Sequence, residues 1–424
     1  MREVNWVFLD MNSYFASAEQ HLRPELRGHP VGVIPMVTQS TCVIAASVEA
    51  KRFGVRTGTI VTEAKRLCPQ IRLVKARPEV YVRLHHEVAK SIDRHLPIHK
   101  AYSVDEWAMR LMGDECVVER AMEIGREIKA QMLRDFSEAL PCSVGIAPTR
   151  LLAKIACELK KPNGLTALTV RDLPHRLSHL ELTDLTGINK GVVSRLNQYG
   201  VRTVEQLWAL SRRDAVAAWG SVVGGDWWAG FHGVDEPERA TQKRSMGHQN
   251  VLEPRLRTED GARQMLARLI YRLGTRLRRE EMLADRLCFS VRCKDGQGFS
   301  REVPLGLVND TPTLLRRFRE GWRSRPALWA VPWMVGADVT KLVHESQATG
   351  CLWGEPESGN RLSETLDVIN TRWGPSAAFF GALHDCSHEM DEKIAFGRVP
   401  EVIERGVRTK PRPMDADDSG RNGR

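Results

Sequence analysis

Apolar residues in the first part of the chain follow two spacings, one typical of strands and one typical of helices. Residues 4–10 and 101–112 carry short apolar runs that predict strands, and the apolar residues after Pro141 predict another. Residues 117–137 instead repeat apolar side chains at helical spacing, which predicts a long helix. Strands mixed with a helix in this way predict an α+β layer.

This layer is expected to consist of two segments, 1–19 and 79–168, with residues 20–78 inserted between them. Residues 169–235 are predicted to be helical, with short turns at glycines. Residues 236–243 are polar, contain one proline and have no apolar period, so they are predicted to be a linker.

The C-terminal part of the chain shows a second succession of elements. The pattern predicts a strand, a long helix, two strands, a helix and a strand, in that order, at 245–252, 259–281, 284–294, 298–305, 312–323 and 336–344. This β-α-β-β-α-β order predicts a two-layer domain at 244–345. Residues 346–409 are a C-terminal extension, and 410–424 are charged and without aromatic residues, which predicts a disordered tail.

The distribution of charged residues indicates what kind of partner the protein binds. The chain has 424 residues and a net charge of +9, and residues 243–345 alone contain 20 Lys and Arg against 12 Asp and Glu. Such a concentrated excess is typical of proteins that bind a phosphate backbone, although a solvated surface is the alternative. The nine cysteines form no C-x-x-C pair, which argues against a zinc ribbon. Without a long apolar run or a signal-like start, we expect a cytoplasmic protein with no membrane partner.

Three carboxylates stand where predicted strands end or turn. Asp10 ends the first predicted strand, and Asp105 and Glu106 form an adjacent pair flanked by apolar residues. Each alone has a structural alternative, because strand-end and turn positions favour acidic residues. If the three converge, they form an oxygen-rich pocket for hard divalent cations, which metal-assisted phosphoryl transfer requires.

The stretch from Leu185 to Gly191 is similar to a helix-hairpin-helix. Gly187 and Gly191, with Lys190 beside them, would allow backbone N–H groups to approach a DNA phosphate. A plain connection between two helices is the alternative.

The segments around Asp10 and Asp105, together with residues 142–156, resemble the Y-family translesion DNA polymerases, and the resemblance covers roughly residues 4–375. It implies a right-hand polymerase with a ferredoxin-like palm, small fingers, a helical thumb and a little finger. These domains correspond, in that order, to 1–19 with 79–168, to 20–78, to 169–235 and to 244–345. Asn12 is similar to the polymerase V catalytic subunits, whereas 160–164 is similar to polymerase IV, so the chain combines features of both bacterial groups.

The resemblance also implies roles for particular residues. Asp10 and Asp105 would bridge two Mg2+ ions, Glu106 would complete the binding of one of them, and Met11 would contribute its backbone carbonyl. Phe15 would exclude the 2′-hydroxyl of a ribonucleotide. Its neighbour, Tyr14, is expected to belong to the core.

The nucleotide phosphates would be held by Lys51 and Lys154. Many family members carry a threonine and a tyrosine where this chain has Ala45 and Val48, so two hydroxyl donors are missing. Lys51 replaces an arginine and keeps the charge without the bidentate geometry.

The function implied is template-directed DNA synthesis of low fidelity across damaged bases, with primer-template DNA and deoxynucleoside triphosphates as partners. Gln347, Leu352 and Trp353 stand where bacterial relatives carry a peptide that binds the sliding clamp, and an ordinary loop with an anchoring tryptophan is the alternative. Some family members have lost their carboxylates and serve as scaffolds. A weakly catalytic or non-catalytic scaffold is therefore the second hypothesis for this chain.

Overall fold

The computed structural model of the protein describes residues 3–38, 41–239, 242–327, 330–348, 357–374, 377–381 and 383. The described residues fall into two units that divide between Pro237 and Glu238. No helix in these ranges is long and apolar enough to cross a membrane.

The strands of the first unit are β1 Trp6–Met11, β2 Val31–Ile34, β3 Ala45–Ala46, β4 Arg72–Lys75, β5 Ile98–Ala101, β6 Glu106–Arg110, β7 Cys142–Ala147 and β8 Leu165–Ala167. Its helices are α1 Tyr14–Leu22, α2 Val48–Arg52, α3 Val61–Leu67, α4 Pro78–Asp93, α5 Val118–Asp135, α6 Arg150–Glu158, α7 Lys190–Gln198, α8 Val204–Trp208, α9 Arg212–Trp219 and α10 Val223–Phe231. The second unit contains β9 Ser245–Val251, α11 Glu259–Arg279, β10 Met282–Cys293, β11 Gly298–Val308, α12 Thr311–Arg323, β12 Pro332–His344 and α13 Glu357–Trp373. Short 3-10 turns occur at Pro24–Leu26, Gly113–Cys116, Val170–Asp172, His175–Leu177, Leu182–Asp184, Pro254–Leu256 and Glu345–Gln347.

The largest sheet of the first unit has β1 at its centre, in the order β5-β6-β1-β7-β8. All six residues of β1 are buried. Val7 and Leu9 belong to one apolar core, and Trp6 and Phe8 belong to another on the opposite face. Because layers cover both faces of this strand, its sequence is a continuous apolar run that ends in a single carboxylate.

The strand predicted at 101–112 is present but shorter, as β6, which forms a hairpin with β5. β5 and β6 are antiparallel neighbours, and the Tyr102 N–H donates to the Glu106 carbonyl oxygen at 2.9 Å to close the turn between them. Asp105 therefore lies in a turn and Glu106 begins a strand. The predicted helix at 117–137 is α5, which begins at Val118 and ends at Asp135.

Residues 31–75 contain a separate three-stranded sheet in the order β3-β2-β4, with its own small apolar core around Val43, Val55 and Val61. The segment predicted to be helical from 169 begins with 3-10 turns, and its first α-helix, α7, starts at Lys190.

The second unit has the β-α-β-β-α-β order expected from the sequence, followed by α13. Its four strands pair antiparallel in the order β11-β10-β12-β9, and α11 and α12 contribute to one shared core with them. The sequence predicted no element at α13. The Asp367 carboxylate of this helix accepts a hydrogen bond from Arg278 Nε at 2.7 Å, which attaches the extension to α11.

A buried ion pair connects α1 to the start of α4. The Glu19 carboxylate is fully buried, and the Arg77 guanidinium donates to its two oxygens at 2.9 and 2.7 Å. The Tyr81 hydroxyl donates to the same carboxylate at 2.7 Å. A buried charge with these partners is stabilised, whereas one that loses its counter-charge is strongly destabilising.

We expect Arg77→Met to lower the free energy of unfolding by about 3 kcal/mol, because it removes the two closest charged donors from the buried Glu19 carboxylate and leaves Arg23 at 3.5 Å. Arg66→Met is the matched control, since Arg66 lies 3.9 Å from Glu63 at an exposed position and should contribute less than about 1 kcal/mol. Urea denaturation measures both. Equal losses in the two variants would contradict the role of Arg77.

Candidate active site

The backbone of the five-stranded sheet brings the three acidic residues together. Asp10, at the end of β1, lies directly opposite Glu106 on β6 and opposite Ser143 on β7. The Met11 N–H donates to the Asp105 carbonyl oxygen at 2.9 Å, which continues the pairing into the turn. Strand register therefore places the backbones of these residues together at one edge of the sheet, where the sequence hypothesis expects their carboxyl groups to converge.

Asp105 and Glu106 point to different partners. The Asp105 carboxylate accepts a hydrogen bond from the Ser103 hydroxyl at 2.5 Å, and burial raises the pKa of Asp105 above its usual value. Lys154 donates to both carboxylate oxygens of Glu106, at 2.8 and 2.7 Å. The sequence hypothesis placed Lys154 on the nucleotide phosphates. In the structure, the Lys154 ammonium group pairs with the Glu106 carboxylate.

Asp10 is paired with a lysine to which sequence reasoning gave no role. The Lys161 ammonium lies 2.8 Å from the Asp10 carboxylate and 2.6 Å from that of Glu158. Burial raises the pKa of Asp10 to about 7, although Lys161 opposes the change. Burial would lower the pKa of Lys161, but Asp10 and Glu158 outweigh it and hold that pKa above its usual value. The sequence indication for this lysine was the similarity of residues 160–164 to polymerase IV.

Hydrogen bonds of Asn12 place the loop that carries Lys161. The Asn12 side-chain oxygen accepts from the backbone N–H of Asn163 at 2.6 Å and from the Ser143 hydroxyl at 3.1 Å. The Ser143 oxygen in turn accepts from the Gly164 N–H at 3.2 Å. A Cβ at Gly164 would lie 2.3 Å from the carbonyl oxygen of Lys160, so only glycine fits this loop.

The donor chemistry of this edge suits a hard cation, because carboxylate and carbonyl oxygens are the ligands that Mg2+ prefers. In the described ranges, however, no three His, Cys, Asp or Glu side chains are assembled so that they could hold a metal ion. Lysines contact carboxylate oxygens of Asp10 and Glu106. By the chemistry of their donors, these acidic residues fit a divalent metal.

Lys51 belongs to the same electrostatic cluster. Desolvation and then Lys161 lower the pKa of Lys51, while Asp10 and Glu158 oppose this change. Ala45 is buried and Val48 is half-buried. Because both side chains are hydrocarbon, neither position offers a hydrogen-bond donor.

Phe15 and Tyr14 are both buried at the start of α1. The Phe15 ring stacks on Tyr81 with ring centroids 4.5 Å apart. The Tyr14 hydroxyl donates to the Tyr81 carbonyl oxygen at 2.7 Å, as a core tyrosine with a satisfied polar end does.

The helix-hairpin-helix residues lie at the start of α7. Gly187 has a φ of +91°, a conformation that favours glycine. The Asn189 side chain caps α7 by accepting from the Val192 N–H, and Lys190 and Gly191 are exposed in its first turn. The Trp227 indole N–H donates to the Thr186 carbonyl oxygen at 2.9 Å and holds the loop in place.

Of the proposed clamp peptide, only Gln347 and Ala348 are described. Gln347 is exposed at the end of the 3-10 turn that follows β12. Leu352 and Trp353 lie outside the described residues.

His85 supports the turn that carries Asp105 and was not found from the sequence. It is buried, its Nδ1 lies 2.7 Å from the Val104 carbonyl oxygen, and its ring stacks on Trp107. A carbonyl acceptor requires a proton on Nδ1. Burial lowers the pKa of His85 from 6.5, although the bond to Val104 opposes the change.

We therefore expect the stability of the protein to fall on acidification. A lowered pKa means that the unfolded chain binds the proton first, so the contribution of His85 is complete above about pH 6.5 and is lost as the pH falls below it. His85→Phe keeps a ring against Trp107 and does not titrate. Thermal unfolding between about pH 7 and pH 5 should show a smaller loss for the variant, and identical slopes would contradict this role.

Two family models match the chain. The impB/mucB/samB family matches residues 9–158, and the impB/mucB/samB family C-terminal domain matches residues 243–350. The first match contains all three carboxylates and Lys154.

Characterised bacterial proteins are similar over most of the chain. DNA polymerase IV of Bacillus velezensis is 28% identical over 404 residues, which cover 92% of this chain and 95% of that protein. DNA polymerase IV of Shewanella baltica is 30% identical over 281 residues, which cover 66% of this chain and 77% of that protein.

Solved structures share the fold. A Y-family DNA polymerase chimera of Dbh and Dpo4 has a TM-score of 0.66 at 21% identity, covering 80% of this chain and 99% of that one. An insertion ternary complex of Dbh DNA polymerase has a TM-score of 0.53 at the same identity and coverage.

Proposed function

Because the chain belongs to the impB/mucB/samB family and is a Y-family translesion DNA polymerase, we propose that Asp10, Asp105 and Glu106 are its catalytic carboxylates. The observation that carries this proposal is the register of the sheet, which places Asp10 opposite Glu106 and bonds Met11 to Asp105. The three residues come from segments about a hundred positions apart in the sequence.

These residues would hold two Mg2+ ions, with the carbonyl oxygen of Met11 as a further ligand. When bound, the ions supply the acidity that activates the primer 3′-hydroxyl and neutralise charge on the transferred phosphate. The chain itself needs no nucleophile, because the attacking oxygen belongs to the primer. Its side chains orient the nucleotide and exclude the wrong sugar.

Lys51, Lys154 and Lys161 are proposed to bind the triphosphate of the incoming deoxynucleotide. Electrostatic interaction with Asp10 and Lys161 places Lys51 in the same cluster. Because Ala45 and Val48 provide no hydroxyl, these ammonium groups would make the main contacts with the phosphates. Lys161 is an addition to the two lysines expected from the sequence.

Duplex DNA is proposed to bind through backbone charge and through the N–H groups near Gly187, Lys190 and Gly191. Affinity for DNA should then fall steeply with salt and depend little on sequence. The small fingers at 20–78 are proposed to enclose the nascent base pair loosely, which lowers fidelity.

We expect Asp105→Asn or Glu106→Gln to reduce primer extension by at least about a hundredfold, since each removes a negative oxygen from the reacting centre. Duplex binding should remain within about twofold of the parent, because these groups do not contact the DNA backbone. Asp114→Asn, at an exposed position, is the matched control. Extension that persists near the parental rate would refute the assignment and favour the scaffold hypothesis.

The sugar gate is tested by Phe15→Ala. A ring that excludes the 2′-hydroxyl by volume should, when removed, raise ribonucleotide incorporation by orders of magnitude while deoxynucleotide use changes much less. Phe53→Ala makes the same substitution at an exposed ring and should leave sugar selection unchanged. Single-nucleotide incorporation assays measure both. Unaltered selectivity in Phe15→Ala would exclude this role.

A sliding clamp is proposed to bind the peptide from Gln347 to Trp353, on the basis of its sequence. Combined Gln347→Ala and Leu352→Ala should abolish the clamp's stimulation of primer extension while leaving clamp-independent extension unchanged. Stimulation that survives this double substitution would show that the contact lies elsewhere.

A further inference from the structure

Two of the three proposed metal ligands already bind a cation that belongs to the chain. Lys154 contacts both oxygens of Glu106 at 2.8 and 2.7 Å, and Lys161 contacts Asp10 at 2.8 Å. The two lysine side chains are 23% and 28% exposed, so both pairs are largely shielded from water.

Electrostatics explains why these pairs form. Asp10 and Asp105 repel each other at a buried position, and each loses hydration there, so the charged forms need a counter-charge. Lys154 and Lys161 supply this counter-charge. An ammonium group this close to a carboxylate repels a second cation there, so Mg2+, which binds carboxylate oxygens at about 2.0–2.1 Å, binds more weakly while the lysine stays.

Resting on the proposed function, we propose that Lys154 and Lys161 are the resident counter-cations of the metal-free site and transfer from the carboxylates to the triphosphate when metal and nucleotide enter together. Without substrate, the two ammonium groups pair with Asp10 and Glu106. With substrate, these carboxylates would hold the metal ions and the ammonium groups would contact the phosphates.

Glu158 keeps Lys161 near the site during this exchange. Its carboxylate lies 2.6 Å from the Lys161 ammonium at the end of α6, next to the pair with Asp10. Lys161 can therefore leave Asp10 without losing every partner. A metal ion that binds alone must compete with a lysine for the carboxylates. The nucleotide phosphates would attract that lysine away. The binding of metal and the binding of nucleotide should therefore strengthen each other.

The test is the affinity of the free protein for Mn2+, measured by electron paramagnetic resonance without DNA or nucleotide, at about pH 8.5 so that the carboxylates are ionised. Lys154→Met and Lys161→Met each remove a competing cation and keep the aliphatic chain. Each should bind Mn2+ at least about fivefold more tightly than the parent, which corresponds to about 1 kcal/mol. Lys160→Met removes an exposed charge next to Lys161 and should change the affinity by less than about twofold.

Unchanged or weaker Mn2+ binding in both lysine variants, with thermal unfolding like that of the parent, overturns the proposal. If either methionine variant does not fold, the corresponding glutamine variant, Lys154→Gln or Lys161→Gln, repeats the measurement with the same two outcomes.

Asp10→Asn separates this proposal from the assignment of the metal site. If Asp10→Asn loses Mn2+ binding while the lysine variants gain none, the carboxylates hold the metal and only the counter-cation role fails. If Asp10→Asn binds Mn2+ like the parent, the proposed metal site is wrong and the inference fails with it. Loss in Asp10→Asn together with gain in the lysine variants supports both.

Discussion

The ion pair between Asp10 and Lys161 is the interaction on which the arrangement of the candidate site depends. A carboxylate buried at the end of a central strand is unfavourable without a nearby positive charge, and burial here raises the pKa of Asp10 to about 7. Lys161 supplies that charge only because Asn12 and Ser143 hold its loop against the ends of β1 and β7. The geometry of the site therefore depends on the loop that carries Lys161 as well as on β1.

The sheet provides the second constraint. Side chains alternate between faces along a strand, so a shift of one residue between β1 and β6 would move Asp10 away from Glu106. That register is strongly specified, because Trp6 and Phe8 must enter one apolar core while Val7 and Leu9 enter the other. Core packing on both faces thus determines where the backbones of Asp10 and Glu106 meet.

Several elements could be predicted because their residues interact with close neighbours in the sequence. The order of elements in the second unit and the bounds of α5 follow from apolar spacing, and the structure agrees within a few residues. The strand expected at 101–112 is present but shorter, at Glu106–Arg110, because apolar spacing does not detect the turn closed by Tyr102 and Glu106. α13 was missed because its polar residue Asp367 docks on Arg278, a contact that no local pattern indicates.

The sequence by itself determined the family, the order of elements from β9 to β12 and the choice of the three acidic residues as candidates, since each is encoded in short segments. Only the tertiary structure decided which cations neutralise those acids. Lys154 and Glu106 are 48 residues apart, and the roles of Lys161 and His85 depend on loops brought together by strand register. A lysine side chain is long enough to reach several partners, so its partner is selected by the fold and not by its neighbours in the sequence.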